Sequence, residues 1–170
     1  MHEKLIEEMR ITGRALADAL APFRTGNFNR VPFPGSWTAG QVAEHVLKAE
    51  SGMEDLLTAE THPAGRDPEQ FIPMIRESFL DLTKKYKSAP GIMPSEAPKD
   101  WDDITRRLDD NRQRVARLLA DADLDLGQCC ELAAFPGVGL LTGYEWLCVM
   151  NTHTLRHVQQ LHRIREIIVP

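Results

Sequence analysis

Residues 142–168 read TGYEWLCVMNTHTLRHVQQLHRIREII, and this stretch predicts an amphipathic helix. Thr142 and Glu145 are spaced as in a capping box, in which each side chain accepts a hydrogen bond from the other residue's backbone N–H. The pattern continues to about Ile168 without a proline or a glycine after Gly143. The start of this helix is therefore well marked, and its length suits one member of a helical bundle.

Two histidines of this helix lie one turn apart. At about 100° per residue, His153 and His157 stand roughly 40° apart and project from the same face. Two imidazoles at this spacing can chelate one metal ion. The pair is predicted to point toward the core, because its face is otherwise mostly apolar: Trp146, Val149, Met150, Gln160, Ile164 and Ile167.

A second helix is predicted from Thr38 to about Ala59. Thr38 and Gln41 form another capping box. His45 lies on the inward stripe of this helix. That stripe otherwise contains Val42, Val46, Ala49, Met53, Leu56 and Leu57.

Two further helices follow from apolar periodicity and end signals. The first runs from about Glu3 to Ala21 and ends before Pro22, which cannot continue a helix. The third begins after Asp100, a suitable N-cap residue, and is expected to end near residues 121–125. Its Leu, Ile and Val residues are predicted to face inward and its Arg and Asp residues outward.

Irregular segments rich in turn-forming residues separate these helices at residues 22–36, 88–98 and 126–141. Residues 71–87 could form a short helix. The sequence shows no internal domain boundary, so a single domain over residues 1–170 is expected. The predicted fold class is all-α, a four-helix bundle with long irregular loops after the first helix and before the third and fourth.

The composition excludes several classes of protein. The 170 residues include 25 acidic and 20 basic side chains, for a net charge of −5 at pH 7. This acidic balance argues against a nucleic-acid partner. The N-terminus lacks a signal-peptide pattern, and no apolar run reaches the roughly 18 residues of a membrane span. A cytoplasmic protein with no membrane partner is expected.

The three cysteines do not form a disulfide pattern. Cys129 and Cys130 are adjacent and rarely pair at normal disulfide geometry. The sequence has no Cys-x-x-Cys spacing. We expect reduced, small apolar residues, with a thiolate ligand or a redox role as the alternative.

The six histidines divide into two sets. His45, His153 and His157 fall on inward faces, whereas His2, His62 and His162 are expected at the surface. A lone core histidine is usually hydrogen-bonded rather than a metal ligand. Burying three unpaired imidazoles would cost about 2 kcal/mol or more each, and a divalent metal would remove that cost. Three neutral imidazoles leave coordination positions open for water or substrate, as in catalytic sites.

Four segments together make the sequence resemble the DinB-like superfamily of metal-binding four-helix bundles, which includes the YfiT-like proteins. Trp37 to His45 is similar to the family's Trp-Ser/Thr-x-x-Glu/Gln-x-x-x-His motif. His153 to Gln160 is similar to its His-x-x-x-His-x-x-Gln signature. Residues 85–94 and 135–147 are similar to its mid-chain segment and to the approach to its last helix. Residues 125–131 depart from the family pattern.

The resemblance implies that His45, His153 and His157 bind Zn²⁺, Ni²⁺ or a similar ion and that the protein forms a homodimer. The superfamily includes transferases and isomerases that use low-molecular-weight thiols such as bacillithiol or mycothiol, and proteins described as hydrolases. The first interpretation is thiol S-transfer or detoxification, and the second is metal-dependent hydrolysis. The third is a non-catalytic bundle that is stabilised by the ion or binds a ligand without turnover.

No residue is assigned as a general acid or base. Glu44 falls on the outward side of its helix, Glu50 on the edge of the inward stripe, and Glu145 in its capping box. Gln160 follows His157 on the inward face and could orient a metal ligand or a bound water. It could equally be a buried amide bonded to backbone. Trp37 could line the metal site or pack under the preceding loop.

Overall fold

The computed structural model describes residues 2–121 and 123–168, so residues 1, 122, 169 and 170 of the predicted domain lie outside its description. The described chain is mostly helical, as predicted. Its helices are α1 His2–Leu20, α2 Ala39–Glu50, α3 Met53–Thr58, α4 Ile72–Leu80, α5 Trp101–Leu119 and α6 Gly143–Ile168. Its strands are β1 Thr61–His62, β2 Cys129–Phe135 and β3 Gly139–Thr142.

The main core lies between the four longest helices of the described chain. Helix α1 packs against α5 and α6, and α2 packs against the same two helices. The apolar stripes of all four helices meet there, which explains their helical periodicity. The buried side chains of this core include Leu16, Leu20, Val42, Val46, Ile104, Leu108, Val158 and Leu161.

The predicted helix starts are confirmed at three positions. The Thr38 side chain accepts from the backbone N–H of Gln41, and the Gln41 side chain accepts from that of Thr38. Thr142 and Glu145 form the same reciprocal pair, with N···O distances of 3.0 and 3.3 Å. The Asp100 carboxylate accepts from the backbone N–H of residue 103 at 2.7 Å. The two capping boxes fix the starts of α2 and α6, which carry the three inward histidines, and the Asp100 cap fixes the start of α5.

The second helix is shorter than predicted, since α2 ends at Glu50 and α3 begins at Met53. The prediction of one helix to Ala59 is wrong because two residues between them favour a break. The Ser51 hydroxyl donates to the carbonyl of Lys48 at 3.0 Å. Such a local side-chain hydrogen bond competes with the backbone hydrogen bonds of a continuing helix. Gly52 has low helix propensity and occupies the N-cap of α3.

The all-α prediction is wrong in one respect, because a small sheet occupies part of the segment expected to be irregular. Strand β2 pairs antiparallel with both β1 and β3. Pro136 and Gly137 form the turn between β2 and β3, with the N–H of Val138 bonded to the carbonyl of Phe135. Gly137 has a φ of 77°, which a type II turn requires at that position.

A buried ion pair joins the long helices. Arg112 of α5 donates to both carboxylate oxygens of Glu50 in α2. It also donates to the Met9 carbonyl and the Thr12 hydroxyl in α1, and to the Thr154 hydroxyl in α6. The outward orientation predicted for every arginine of α5 is therefore wrong for Arg112. A guanidinium can be buried when its N–H groups are bonded and its charge is paired.

A second buried carboxylate fixes the loop before α4. The side chain of Glu145 accepts two hydrogen bonds from Arg66, at 2.8 and 2.7 Å, and one from the backbone N–H of Phe71 at 2.9 Å. These bonds are additional to its capping box. The start of α6 therefore also determines where α4 begins.

None of the helices in residues 2–121 and 123–168 combines the length and the hydropathy of a membrane-spanning segment.

Candidate metal centre

The structure brings together the three histidines that the sequence placed on inward faces. His45 projects from α2, and His153 and His157 project from α6. The Nε2 atom of His153 lies 3.1 Å from Nε2 of His45 and 3.1 Å from Nε2 of His157. One nitrogen from each ring lies within 4.8 Å of both others. The three imidazoles therefore converge on one point between the two helices.

A backbone carbonyl sets the orientation of His45. Its Nδ1 atom lies 2.8 Å from the carbonyl oxygen of Ile92, and the hydroxyl oxygen of Ser88 lies 3.5 Å away. Because a carbonyl oxygen only accepts, Nδ1 carries the hydrogen of the neutral ring. The lone pair is then on Nε2, which faces the other two histidines.

Gln160 does the same for His157. Its Oε1 atom lies 2.8 Å from Nδ1 of His157, so Nδ1 donates and Nε2 is left with the lone pair. Gln160 thus contacts a histidine of the cluster through its side chain, which is the arrangement expected of a residue that orients a ligand.

The cluster is neutral near physiological pH. Burial lowers the pKa of His45, lowers that of His157 to about 4, and lowers that of His153 well below its usual range. His45 and His157 are buried and His153 is half-buried. The neighbouring imidazoles lower the pKa of His153 and His157 further. Neutral imidazoles have the free lone pairs that metal coordination requires.

This donor set fits a divalent metal. His153 can carry at most one hydrogen on Nε2, which leaves at least one neighbouring lone pair without a donor in the cluster. A cation can accept all three lone pairs. Zinc sites have metal–nitrogen distances of about 2.0–2.1 Å, which places two tetrahedral ligands roughly 3.3 Å apart. The observed separations of 3.1 Å are close to that value.

Two aromatic rings border the cluster. The Trp37 ring lies 5.0 Å from that of His45, and the Phe79 ring meets the His153 ring edge-on at 5.8 Å. Trp37 also packs against the main core. Phe79 was not found by sequence reasoning, since an aromatic residue in a weakly periodic segment carries no metal-site signal.

No carboxylate of the described residues joins the three histidines. Glu44 lies 3.2 Å from Lys48 and 3.0 Å from Lys99. Glu50 and Glu145 are paired with arginines, as described above. The acidic side chains considered as general bases therefore have other partners.

The remaining histidines lie away from the cluster. His162 is exposed on α6, and His2 and His62 are half-buried. Nδ1 of His62 lies 3.0 Å from a carboxylate oxygen of Glu131, and Nδ1 of His2 lies 3.1 Å from the carbonyl of Leu119. Three histidines therefore converge and the other three do not, although of those three only His162 is fully exposed as predicted.

The cysteines are all free and buried. Burial raises the pKa of Cys130 to about 11 and also raises the pKa of Cys148. Cys129 and Cys130 lie in β2, where they pair with β1 residues. Their thiols do not join the three histidines.

Comparison with known protein families gives one match. A family model described as the DinB superfamily matches residues 8–161. Compared with curated proteins and with solved structures, the chain has no significant match. The matched range includes His45, His153, His157 and Gln160.

Proposed function

The chain belongs to the DinB superfamily, and from this premise we propose that it is a metal-dependent enzyme that transfers the sulfur of a low-molecular-weight thiol to an electrophile. His45, His153 and His157 would hold the ion, with Zn²⁺ or Ni²⁺ as the preferred candidates. Thiol S-transfer of this kind would serve detoxification.

One observation carries this choice: three imidazole nitrogens converge with no carboxylate of the described residues among them. A bound divalent ion can itself activate water, but hydrolysis also benefits from a side chain that protonates the leaving group, and no carboxylate of the described residues lies among the three histidines to do so. A thiol is far more acidic than water and needs less help to lose its proton. The donor set therefore favours thiol transfer over hydrolysis.

Around the ion, the residues of the chain have two tasks in this proposal. When bound, a divalent ion lowers the pKa of a coordinated thiol or water. The carbonyl of Ile92 and the amide of Gln160 hold His45 and His157 with their Nε2 lone pairs toward the site. Trp37 and Phe79 exclude water from its sides.

The reacting sulfur would come from outside the protein. At neutral pH the Cys130 thiol is protonated, since its pKa is raised to about 11, and the pKa of the buried Cys148 is raised as well. The chain thus offers no activated thiol at these positions.

In the transfer, a carbon–sulfur bond forms and the bond from carbon to the leaving group breaks. The leaving group takes the electron pair, and the thiol proton goes to water.

We also propose that α1, α2, α5 and α6 form the four-helix bundle implied by the resemblance. Each helix of one pair, α1 and α2, packs against both helices of the other pair, α5 and α6, which supports this arrangement. The homodimer that the resemblance implies stays a prediction, as does the cytoplasmic location.

Metal analysis of the purified protein tests the site. His45→Ala and His153→Ala should each lose most of the bound metal. His162→Ala is the matched control, because His162 is exposed on the same helix as His153. Full metal content in both cluster variants would contradict the three-histidine site and leave hydrogen-bonded core histidines in its place.

Turnover of an electrophile tests the chemistry. The metal-loaded protein should speed the reaction of monobromobimane with a small thiol and should leave monobromobimane unchanged when the thiol is absent. His153→Ala should abolish this acceleration. Thiol-independent hydrolysis of an amide or ester panel, with no transfer to monobromobimane, would reject S-transfer and establish the hydrolase. A protein that binds metal but shows neither reaction would reject both enzymatic functions.

A further inference from the structure

Arg156 holds the segment that follows α4. Its Nη1 atom donates to the carbonyls of Phe79 and Asp81 at 3.1 and 3.0 Å, and its Nη2 atom donates to the carbonyl of Lys84. Its guanidinium lies over the Tyr86 ring, 5.2 Å from the centroid. The Phe79 and Asp81 carbonyls lie at the C-terminal end of α4, where helical carbonyls lack partners and a positive charge is favourable.

The same segment is bound at its other end to α2. The ammonium of Lys48 donates to the carbonyl of Met93 at 2.7 Å. The carboxylate of Glu44 accepts from the backbone N–H of Ser95 at 2.8 Å. Residues 81–95, called the strap below, therefore run from α6 to α2. Each end is bound by residues that flank a histidine of the cluster.

Between these two ends the strap reaches the cluster itself. The Ile92 carbonyl is the acceptor that fixes the tautomer of His45, and Ser88 lies beside the same nitrogen. Arg156 is bonded to carbonyls at the start of the strap. Nδ1 of His45 is bonded to the Ile92 carbonyl near the end of the strap. The position of one metal ligand is thus linked to a side chain on the opposite helix.

We infer that Arg156 is a positioning residue of the metal site: by anchoring the strap, it keeps the Ile92 carbonyl in place and the Nε2 lone pair of His45 directed at the ion. This inference rests on the metal site proposed above. It follows that metal binding and strap order are coupled, and by linkage each strengthens the other.

Electrostatics alone predicts the opposite effect of removing Arg156. Its positive charge acts on His153 and His157 and disfavours further positive charge there. Loss of that charge would make binding of a cation tighter. Loss of the strap anchor makes binding weaker. The sign of the change therefore separates a positioning role from a simple charge effect.

The experiment measures Zn²⁺ affinity by competition with a chelating dye, together with hydrogen exchange of residues 81–95 in the metal-free protein. Arg156→Ala should weaken Zn²⁺ binding about tenfold, similar to the loss of a residue that orients a ligand, and should speed exchange in the strap. Arg163→Ala is the matched control, since Arg163 is exposed on α6 about two turns away. It should change neither quantity.

Arg156→Lys keeps the charge but loses the planar group that donates to three carbonyls at once. It should also weaken Zn²⁺ binding, and it decides the question by the same two measurements if Arg156→Ala does not fold. Zn²⁺ binding as tight as in the wild type, or tighter, in a folded Arg156→Ala protein overturns the inference. A wild-type protein that binds neither Zn²⁺ nor Ni²⁺ in the same competition assay overturns both this inference and the proposed function.

Discussion

Oε1 of Gln160 lies 2.8 Å from Nδ1 of His157, one turn further along α6. Both residues belong to one helix, so its backbone geometry fixes the distance between them. The amide thereby selects the tautomer of a buried imidazole. This relationship leads to the first of four predictions.

Gln160→Leu should weaken metal binding by about ten- to a hundredfold, because Nδ1 of His157 loses its acceptor and the ring loses its orientation. Gln160→Glu keeps an acceptor at the same position and should retain the affinity. Chelator competition measures both. Gln159→Leu serves as the control, since Gln159 is exposed. Equal affinities for Gln160→Leu and the wild type would show that Gln160 is only a buried amide.

Arg112→Met should lower the free energy of unfolding by about 3 kcal/mol or more, because it leaves the Glu50 carboxylate buried without its partner. Urea unfolding followed by circular dichroism measures the change. The comparison is Arg24→Met, which breaks the exposed pair with Asp102 and should cost less than about 1 kcal/mol. Similar losses of unfolding free energy in the two variants would mean that the buried ion pair stabilises the protein no more than the exposed one does.

Gly143→Ala should destabilise the protein by about 1–3 kcal/mol, because a Cβ there would lie 2.8 Å from Leu126 Cδ2 and 3.1 Å from its Cα. Gly52→Ala meets no atom within 4 Å at its Cβ and has a φ of −91°. It should leave the stability unchanged or raise it slightly. Thermal unfolding of the two variants checks the contrast, and the opposite order of melting temperatures would contradict it.

The stability contribution of Cys130 should fall at alkaline pH. Burial raises the folded pKa to about 11, whereas an unfolded thiol has a pKa of about 8.5. The contribution is complete below the unfolded value. As pH rises toward the folded value, the unfolded state loses its proton first, so about 2–3 kcal/mol is progressively lost. Urea unfolding at a series of pH values should show a shallower decline for Cys130→Ala, and parallel declines would argue against a buried protonated thiol.

The sequence was sufficient wherever a structural feature depends on residues a few positions apart. The two capping boxes, Thr38 with Gln41 and Thr142 with Glu145, need only residues three apart and are seen as predicted. The spacing of His153 and His157 is equally local. The helical character of the chain and the inward faces of its histidines follow from such short-range patterns.

Features made by distant backbone atoms were not predictable in this way. The Ile92 carbonyl that orients His45 has no side-chain signature, and neither do the carbonyls bound by Arg156. Strand β2 pairs with β1, and helices α4 and α5 lie between the two strands in the sequence, so the residues of β2 gave no strand pattern of their own. Arg112 was predicted to face outward because the hydrophobic pattern of a helix cannot show that a charged side chain is fully paired in the core.

The dependence of the cluster on α6 has a consequence for biosynthesis. His153 follows His45 by 108 residues, and α6 leaves the ribosome after every other helix described here. Until then a nascent chain has one imidazole at the site and lacks the partners of Arg66 and Arg112 in α6. A single imidazole does not chelate, so the proposed site could take up a metal only after translation of the last described helix. Contacts this distant in sequence are also slow to form, so loading of the proposed site would fall among the late steps of folding.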